Sequence, residues 1–364
     1  MSDNQRMFGS IKKAVKQLYP GEPQGNLARH LNPLAAMIAG IVQSKSSQLP
    51  EMAKKVPDGA KPDSRIKRFT RWLQNEGSTH EIYFLPFAKA LRDSLANQTL
   101  VLVMDGSEVG RGCLTLLISV IYKKRALPLA WVVIQGHKGH FPAETHVALL
   151  NEIVEIVPAD ADVIFLGDGE FDNLDLQAAL AIPGWQYVCR TAKNIQVCVD
   201  DEWLALETMA LQPGQRELWE QVGFTQAAYG PVQVIGWWDR GYKEPLYLVT
   251  NMEVLDEACH WYRKRMCIET FFSDQKTRGF HLDKSHLKEP VRLARLMMAT
   301  CLAYIWIVCL GAFAKQTGWH KVIHRTDRCD LSLFQLGLRL LDHFLNEHLP
   351  IPILFRMPPS RVAV

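Results

Sequence analysis

Residues 100 to 107 read LVLVMDGS, a short apolar run of strand-forming residues that ends in an aspartate. Residues 163 to 170 read VIFLGDGE and repeat the same pattern. Short apolar runs that stop at turn residues are typical of strands buried inside a protein. The two runs therefore predict two buried strands. Each carries a carboxylate, Asp105 or Asp168, at the point where the chain leaves the strand.

The segments around these two strands predict the order of the remaining elements. Further strands and helices are indicated at residues 114–122 (strand), 127–134 (strand), 142–157 (helix), 174–181 (helix) and 185–189 (strand). The predicted order is β-β-β-α-β-α-β, followed much later by a helix that carries Glu269. This order is the layout of the ribonuclease-H-like fold. We therefore predict an α/β protein with a ribonuclease-H-like core.

The late helix lies within residues 262 to 276, which read YRKRMCIETFFSDQK. Four polar residues there are spaced 3, 4 and 7 positions apart: Tyr262, Arg265, Glu269 and Lys276. On one continuous helix they fall within an arc of about 60°. On the opposite side, Ile268 and Phe271 can anchor the helix on a core. A carboxylate suits a divalent metal, and cations beside it suit phosphate oxygens. The alternative is a solvated face with ordinary pairing of Arg265 and Glu269.

With these elements the chain resembles bacterial insertion-sequence transposases of the Asp-Asp-Glu (DDE) type, in the IS-four group. That group is marked by the signature Tyr-x2-Arg-x3-Glu-x6-Lys, which residues 262 to 276 match in full. The resemblance covers most of the chain. It implies that Asp105, Asp168 and Glu269 are the catalytic residues and ligate two Mg²⁺ ions, or Mn²⁺ in their place. It also implies that Tyr262, Arg265 and Lys276 bind phosphates of the transposon end.

The resemblance implies a DNA transposase that recognises terminal inverted repeats in double-stranded DNA. The enzyme would cleave DNA at the ends and join the 3′-hydroxyls to target DNA by two-metal phosphoryl transfer, as a homodimer on two ends. Two alternatives remain: a metal-dependent nuclease of the same fold, and a non-catalytic DNA-binding relic of a transposase. The basic N-terminal helices count against the first, and the presence of all three acids against the second. Three nearby acids could replace a ligand: Glu108, Glu170 and Asp172.

The N-terminal region, residues 1–98, is predicted to be a helical DNA-binding domain. Residues 1–100 hold 15 Lys and Arg against 8 Asp and Glu, a net charge of +7, whereas the remaining residues have a net charge of −4. Neutralising phosphates supplies most nonspecific affinity for DNA. Within a predicted helix at residues 64–74, three arginines recur every third position and could follow a DNA backbone: Arg65, Arg68 and Arg71. The alternative is an ordinary solvated helix face.

Three further segments complete the predicted domain organisation. The first part of the core covers residues 99–192, and a mostly β insertion covers residues 193–254. Residues 255–364 then complete the core with the Glu269 helix and C-terminal helices. Within the insertion, Trp237 is a candidate for stacking on a displaced base. The alternative is a core side chain, since tryptophans on strands are more often buried.

Composition predicts a cytoplasmic protein, and the resemblance implies a bacterial one associated with nucleoid DNA. The eight cysteines form no Cys-x-x-Cys pair, which favours reduced thiols, and the N-terminus lacks the pattern of a secretion signal. Neither Cys259-His260 nor the group His137, His140 and His146 has the spacing of a zinc site. Residues 296–314 carry no charge and are long enough to span a membrane. Their position in an α/β domain favours a buried core helix instead.

Overall fold

A computed structural model describes residues 1–95, 98–136, 141–353 and 355–358 of the chain. The protein is a mixed α/β structure with one large mixed sheet and helices packed around it. Six helices precede the first strand: α1 (Asp3–Lys16), α2 (Gly25–Ser44), α3 (Leu49–Lys55), α4 (Pro62–Gln74), α5 (His80–Tyr83) and α6 (Leu85–Asp93). The N-terminal region is therefore helical over its described residues.

The next seven elements occur in the predicted order β-β-β-α-β-α-β. They are β1 (Leu100–Gly110), β2 (Cys113–Tyr122), β3 (Arg125–Gln135), α7 (Ala143–Val154), β4 (Val163–Gly167), α8 (Leu174–Ala181) and β5 (Gln186–Thr191). The strands β1, β2 and β3 form an antiparallel meander, while β4 and β5 continue the sheet in parallel with β1. The strand β4 is buried along its whole length, which explains its continuous apolar sequence.

Residues 196 to 250 add five strands to the same sheet. They are β6 (Gln196–Val199), β7 (Glu202–Ala205), β8 (Arg216–Phe224), β9 (Tyr229–Trp237) and β10 (Leu246–Thr250). The strand β10 pairs antiparallel with β5, so that the sheet has ten strands in the order β3-β2-β1-β4-β5-β10-β9-β8-β6-β7. The predicted mostly β character is present. Because β10 covers the open edge of β5, these strands extend the core sheet and do not form a separate one.

The chain after the sheet is helical. Its α-helices are α9 (Leu255–Tyr262), α10 (Cys267–Gln275), α11 (Pro290–Thr317), α12 (His320–Ile323) and α13 (Leu333–Asn346). The prediction of one continuous helix through residues 262 to 276 is wrong. A 3₁₀ turn, Arg263–Met266, separates α9 from α10, and Lys276 follows the end of α10 with non-helical φ and ψ of −100° and −113°. The reason is tertiary: α9 packs on β4 and β5, whereas α10 packs on β1 and β3. The tighter turn redirects the chain between these two contacts.

The apolar helix α11 is the centre of the helical layer. Among the described residues it is the one helix long and apolar enough to cross a membrane, but 94% of its most apolar window is buried inside the protein. It packs against α13, α2 and β3. The prediction of a core helix is confirmed, because neighbouring elements cover the whole circumference of this helix.

Replacing Gly337 by alanine is expected to destabilise the contact between α11 and α13. A Cβ atom at Gly337 would lie 1.9 Å from the carbonyl oxygen of Ile307, so the helices would have to separate. We expect the free energy of unfolding to fall by about 1–3 kcal/mol or more, measured by urea denaturation. Gly9→Ala in α1 is the control, since nothing lies within 4 Å of its Cβ position. Equal stability of the two variants would contradict the close contact.

Candidate active site

Two of the predicted acids lie on adjacent strands. Asp168 directly follows the last residue of β4, as predicted. The prediction that the chain leaves its strand at Asp105 is wrong, because β1 continues to Gly110 and stays paired with β2 beyond Asp105. The strands β1 and β4 pair in parallel, with Val103 opposite Leu166 as the last pair of the register. Asp105 and Asp168 each lie two residues beyond that pair. Because neighbouring strands are about 4.8 Å apart and side chains alternate between faces, both carboxylates leave the same face of the sheet at the same edge.

The third acid comes from the helix that packs on this edge. Glu269 lies in the first turn of α10, whose buried residues Ile268 and Phe271 hold the helix on the core, as their pattern predicted. One guanidinium nitrogen of Arg265, Nη1, lies 3.5 Å from Oδ2 of Asp105 and 3.9 Å from Oε1 of Glu269. The side chains of Arg265 and Asp105 are 12% and 10% exposed, so this end of the bridge is largely shielded from water, whereas Glu269 is half-exposed. Arg265 therefore links the strand acid to the helix acid.

The electrostatics of Asp105 show that negative charge is concentrated at this edge. Burial, together with the charges of Asp168 and Glu269, raises the pKa of Asp105 to about 7. Arg265 and the backbone N–H of Gly106, which donates to Oδ1 of Asp105 at 2.8 Å, act in the opposite direction. Both carboxylates are therefore near enough to Asp105 to repel its charge. Such a group of like charges is stabilised by a cation.

The donor set suits a hard divalent cation such as Mg²⁺, because all three side chains supply carboxylate oxygens. In the described part of the chain, however, no three His, Cys, Asp or Glu side chains are arranged to hold one ion as they stand. The guanidinium of Arg265 supplies the positive charge between Asp105 and Glu269 in this conformation. The Glu269 side chain is 51% exposed and has room to reorient toward an ion.

The two remaining signature residues lie beside the acids. The ammonium group of Lys276 donates to the hydroxyl of Ser107 on β1 at 2.7 Å, and burial lowers the pKa of Lys276. Burial also raises the pKa of Tyr262 to about 12, against the opposing charges of Arg265 and Arg190. Sequence reasoning did not single out Ser107. Its position two residues after Asp105 on the same strand was the available signal.

Two of the three competing acids, Glu170 and Asp172, have other hydrogen-bond partners. Glu108 is exposed on β1, and Oε1 of Glu170 accepts a hydrogen bond from the backbone N–H of Phe141 at 2.6 Å. Oδ2 of Asp172 accepts a hydrogen bond from the hydroxyl of Thr191 at 2.6 Å. Glu170 and Asp172 thus stabilise the loops around β4 and β5.

The cysteines and histidines show no sign of a zinc site within the described ranges. All eight cysteines are free thiols, and most of them are buried. His146 is buried in α7 against the ring of Phe171, with the ring centroids 4.9 Å apart. His137 and His140 lie outside the described residues.

Trp237 is a core residue and not a base-stacking residue. Only 1% of its surface is exposed, although it lies at the end of strand β9. The guanidinium carbons of Arg263 and Arg216 lie 4.8 and 5.3 Å from the centroid of its ring. The ring face is therefore covered within the protein, and a base has no access to it.

The three arginines predicted to follow a DNA backbone, on helix α4, differ in their contacts. Arg65 and Arg68 both bind Asp58 in the loop before the helix, and Arg65 also donates to the carbonyl of Ala53 at 3.0 Å. Burial raises the pKa of Asp58, but the bonds from Arg68 and Arg65 outweigh it and hold that pKa below its ordinary value. Arg71 is exposed. Two of the three arginines thus stabilise the loop, which leaves Arg71 as the one placed on an open helix face.

Comparison with known proteins gives the family. No curated protein matches the sequence. One solved structure with similarity to the chain is the cryo-EM structure of piggyBac transposase synaptic complex with hairpin DNA, at 10% identity and a TM-score of 0.48, covering 100% of this chain and 86% of that chain. This similarity is too low to carry an argument. Residues 105–306 match the model of the transposase DDE domain, and this match covers more than half of the chain. The protein therefore belongs to the transposase DDE domain family.

Proposed function

We propose that the protein is a DDE transposase that binds terminal inverted repeats, cleaves DNA at the ends and joins the 3′-hydroxyl ends to target DNA. One observation carries the proposal. Arg265 lies between Asp105 and Glu269, and the charge of Asp168 on the next strand acts on the same carboxylate. Three acids from distant parts of the sequence thus meet at one edge of the sheet, inside the segment that matches the family.

Asp105, Asp168 and Glu269 would hold two Mg²⁺ or Mn²⁺ ions. When bound, such ions activate a water or 3′-hydroxyl and stabilise the leaving oxygen. The protein's own cations would orient the DNA around the scissile bond. Arg265 suits a phosphate because its planar guanidinium can donate two parallel hydrogen bonds. Lys276 is held by Ser107, and Tyr262 remains a neutral hydrogen-bond donor because burial raises its pKa.

The core is proposed to be ribonuclease-H-like, with the domain boundaries predicted from the sequence. The strand order β3-β2-β1-β4-β5, with an antiparallel meander and two parallel strands, supports this assignment. Residues 1–98 are proposed as the DNA-binding domain, with Arg71 as a backbone contact. The signature at residues 262 to 276 supports membership of the IS-four group. We further propose a homodimer that acts on two DNA ends, in the cytoplasm of a bacterium and on its nucleoid DNA.

The experiment that tests this function is cleavage of linear DNA carrying the terminal repeats that flank the gene. We expect nicking with Mg²⁺ at the 3′ ends of the repeats, followed by joining to a supercoiled target plasmid. DNA with scrambled ends is the control. Cutting that ignores the end sequence would favour a nuclease of the same fold. Binding to the ends without any cutting would favour a non-catalytic relic.

A further inference from the structure

A cleft lies directly beside Asp168. Its volume is about 480 Å³, and its walls come from the ends of β4 and β5 and the start of β10. Three cations line it together with Asp168: Arg190, Lys193 and Arg265. Arg265 belongs to the signature already assigned to DNA, whereas Arg190 and Lys193 belong to no motif. The acids Glu170 and Glu244 also line the cleft. The cleft thus reaches Asp168 and contains two basic side chains, Arg190 and Lys193, that the proposed reaction has not used.

The sheet register aligns Arg190 with the two strand acids. The strands β4 and β5 pair in parallel, with Gly167 opposite Cys189 as the last pair. One residue further along each strand are Asp168 and Arg190. Asp105, Asp168 and Arg190 therefore follow one another across three adjacent strands, at the same edge of the sheet. At a spacing of about 4.8 Å per strand, the backbone of Arg190 is about 10 Å from that of Asp105.

Arg190 is available for a ligand, whereas Lys193 is held. Lys193 forms an ion pair with Glu244 at 3.4 Å, on the rim of the cleft. Arg190 is exposed on β5, and no ion pair joins it to any residue in the described part of the chain. Its charge nevertheless acts on the hydroxyl of Tyr262, together with that of Arg265. Arg190 and Arg265 therefore face the same space beside the acids.

We propose that Arg190 binds a backbone phosphate of the DNA strand that is cut, next to the scissile phosphate. The proposal rests on the proposed transposase function and adds to it a positioning residue outside the signature. An arginine placed on a strand of the sheet is held by the fold, and its guanidinium matches the geometry of a phosphate. The cleft then guides the strand along the sheet edge, from Asp105 past Asp168 toward β10. Arg190 does not contact the reacting atoms and acts by fixing the position of the strand.

The proposed phosphate contact of Arg190 can be tested with DNA in which single phosphates are replaced by uncharged linkages. A duplex carrying the terminal repeat is made with a single methylphosphonate at successive positions around the cleavage site. Binding is measured with Ca²⁺ in place of Mg²⁺, for the wild type and for Arg190→Gln. For the wild type we expect one position where the neutral linkage weakens binding about tenfold or more, as for a lost charged hydrogen bond. Arg190→Gln should bind unmodified DNA as weakly as the wild type binds DNA with the neutral linkage at that position. The neutral linkage at that position should then cause no further loss of affinity in Arg190→Gln. The salt dependence of the DNA affinity of Arg190→Gln should be smaller by an amount that corresponds to about one phosphate contact.

Two further variants keep the outcome clear. Arg328→Gln removes an exposed charge that does not line the cleft, and it should reproduce every penalty of the wild type. Arg190→Lys keeps the charge but loses the paired hydrogen bonds, so its penalty at that position should be intermediate. If Arg190→Gln keeps all the penalties of the wild type, Arg190 does not bind phosphate, although end-specific cleavage can still stand. If the wild type binds no end DNA, the transposase function and this proposal both fall.

Discussion

Asp105→Asn is expected to abolish metal-dependent DNA cleavage, with a fall in single-turnover rate of at least about 1000-fold. Asp105 would hold metal ions in the proposed site, such ions contribute several kcal/mol to the transition state, and each 1.4 kcal/mol corresponds to about a factor of ten. Asparagine keeps the shape of the side chain and removes its charge. Binding of end DNA should persist, because Arg265 and Lys276 are unchanged. The measurement is cleavage of labelled end DNA with Mg²⁺, beside a binding titration of the same DNA.

Glu108→Gln is the matched control for Asp105→Asn. Glu108 is an exposed acid on the same strand, three residues further on, and one of the three acids that could replace a metal ligand. We expect the cleavage rate of Glu108→Gln to stay near that of the wild type. The melting temperature of metal-free Asp105→Asn should not fall, since burial and the charges of Asp168 and Glu269 already disfavour an ionised Asp105. A rate lost in Glu108→Gln and kept in Asp105→Asn would overturn the assignment.

Arg125→Met is expected to cost about 3–5 kcal/mol in the free energy of unfolding. Nη1 of Arg125 lies 2.8 Å from Oδ2 of Asp274, and both side chains are nearly buried, at 12% and 8% exposed. This ion pair joins β3 to α10, the helix that carries Glu269. The variant leaves Asp274 buried beside an apolar side chain. Urea denaturation measures the loss, and cleavage activity should fall with it because the position of Glu269 depends on α10.

Two control variants show whether the stability lost in Arg125→Met comes from the unpaired buried charge of Asp274. Lys54→Met breaks an exposed ion pair with Glu51 and should cost at most about 1 kcal/mol. In the double variant Arg125→Met, Asp274→Leu both charges are gone, and most of the lost stability should return. If the double variant is as unstable as the single variant, the loss comes from packing and not from an unpaired charge.

The loss in Arg125→Met should also depend on pH. Burial raises the pKa of Asp274 to about 6 even though Arg125 lowers it, so removing Arg125 raises this pKa further. An acid whose pKa is raised in the folded state favours folding when protonated, and that contribution is lost as the pH rises through the folded pKa. The deficit of the variant should therefore grow as the pH rises above about 6, the pKa of Asp274 in the wild type. A deficit that shrinks over this range would contradict the assignment.

Local pattern was sufficient to predict the strands that carry or precede the two aspartates and the buried faces of the helices, but not where β1 ends. The apolar runs before Asp105 and Asp168 predict strands without knowledge of their neighbours, because burying such a run requires a strand or helix covered on both sides. The same holds for Ile268 and Phe271, and for the uncharged run that became α11. Each of these inferences depends on the hydrophobicity of one short segment.

Long-range pairing was needed for the rest. The turn at Arg263–Met266, the burial of Trp237 and the pairing of Arg65 with Asp58 all depend on segments distant in the sequence. So does the cleft at Arg190, which exists because β5 lies between β4 and β10. Helical spacing and charge patterns describe one element at a time, whereas the partner of a side chain is chosen by packing between elements. The strands before Asp105 and Asp168 could be predicted from the sequence, but the link that Arg265 makes between Asp105 and Glu269 is a property of the folded chain.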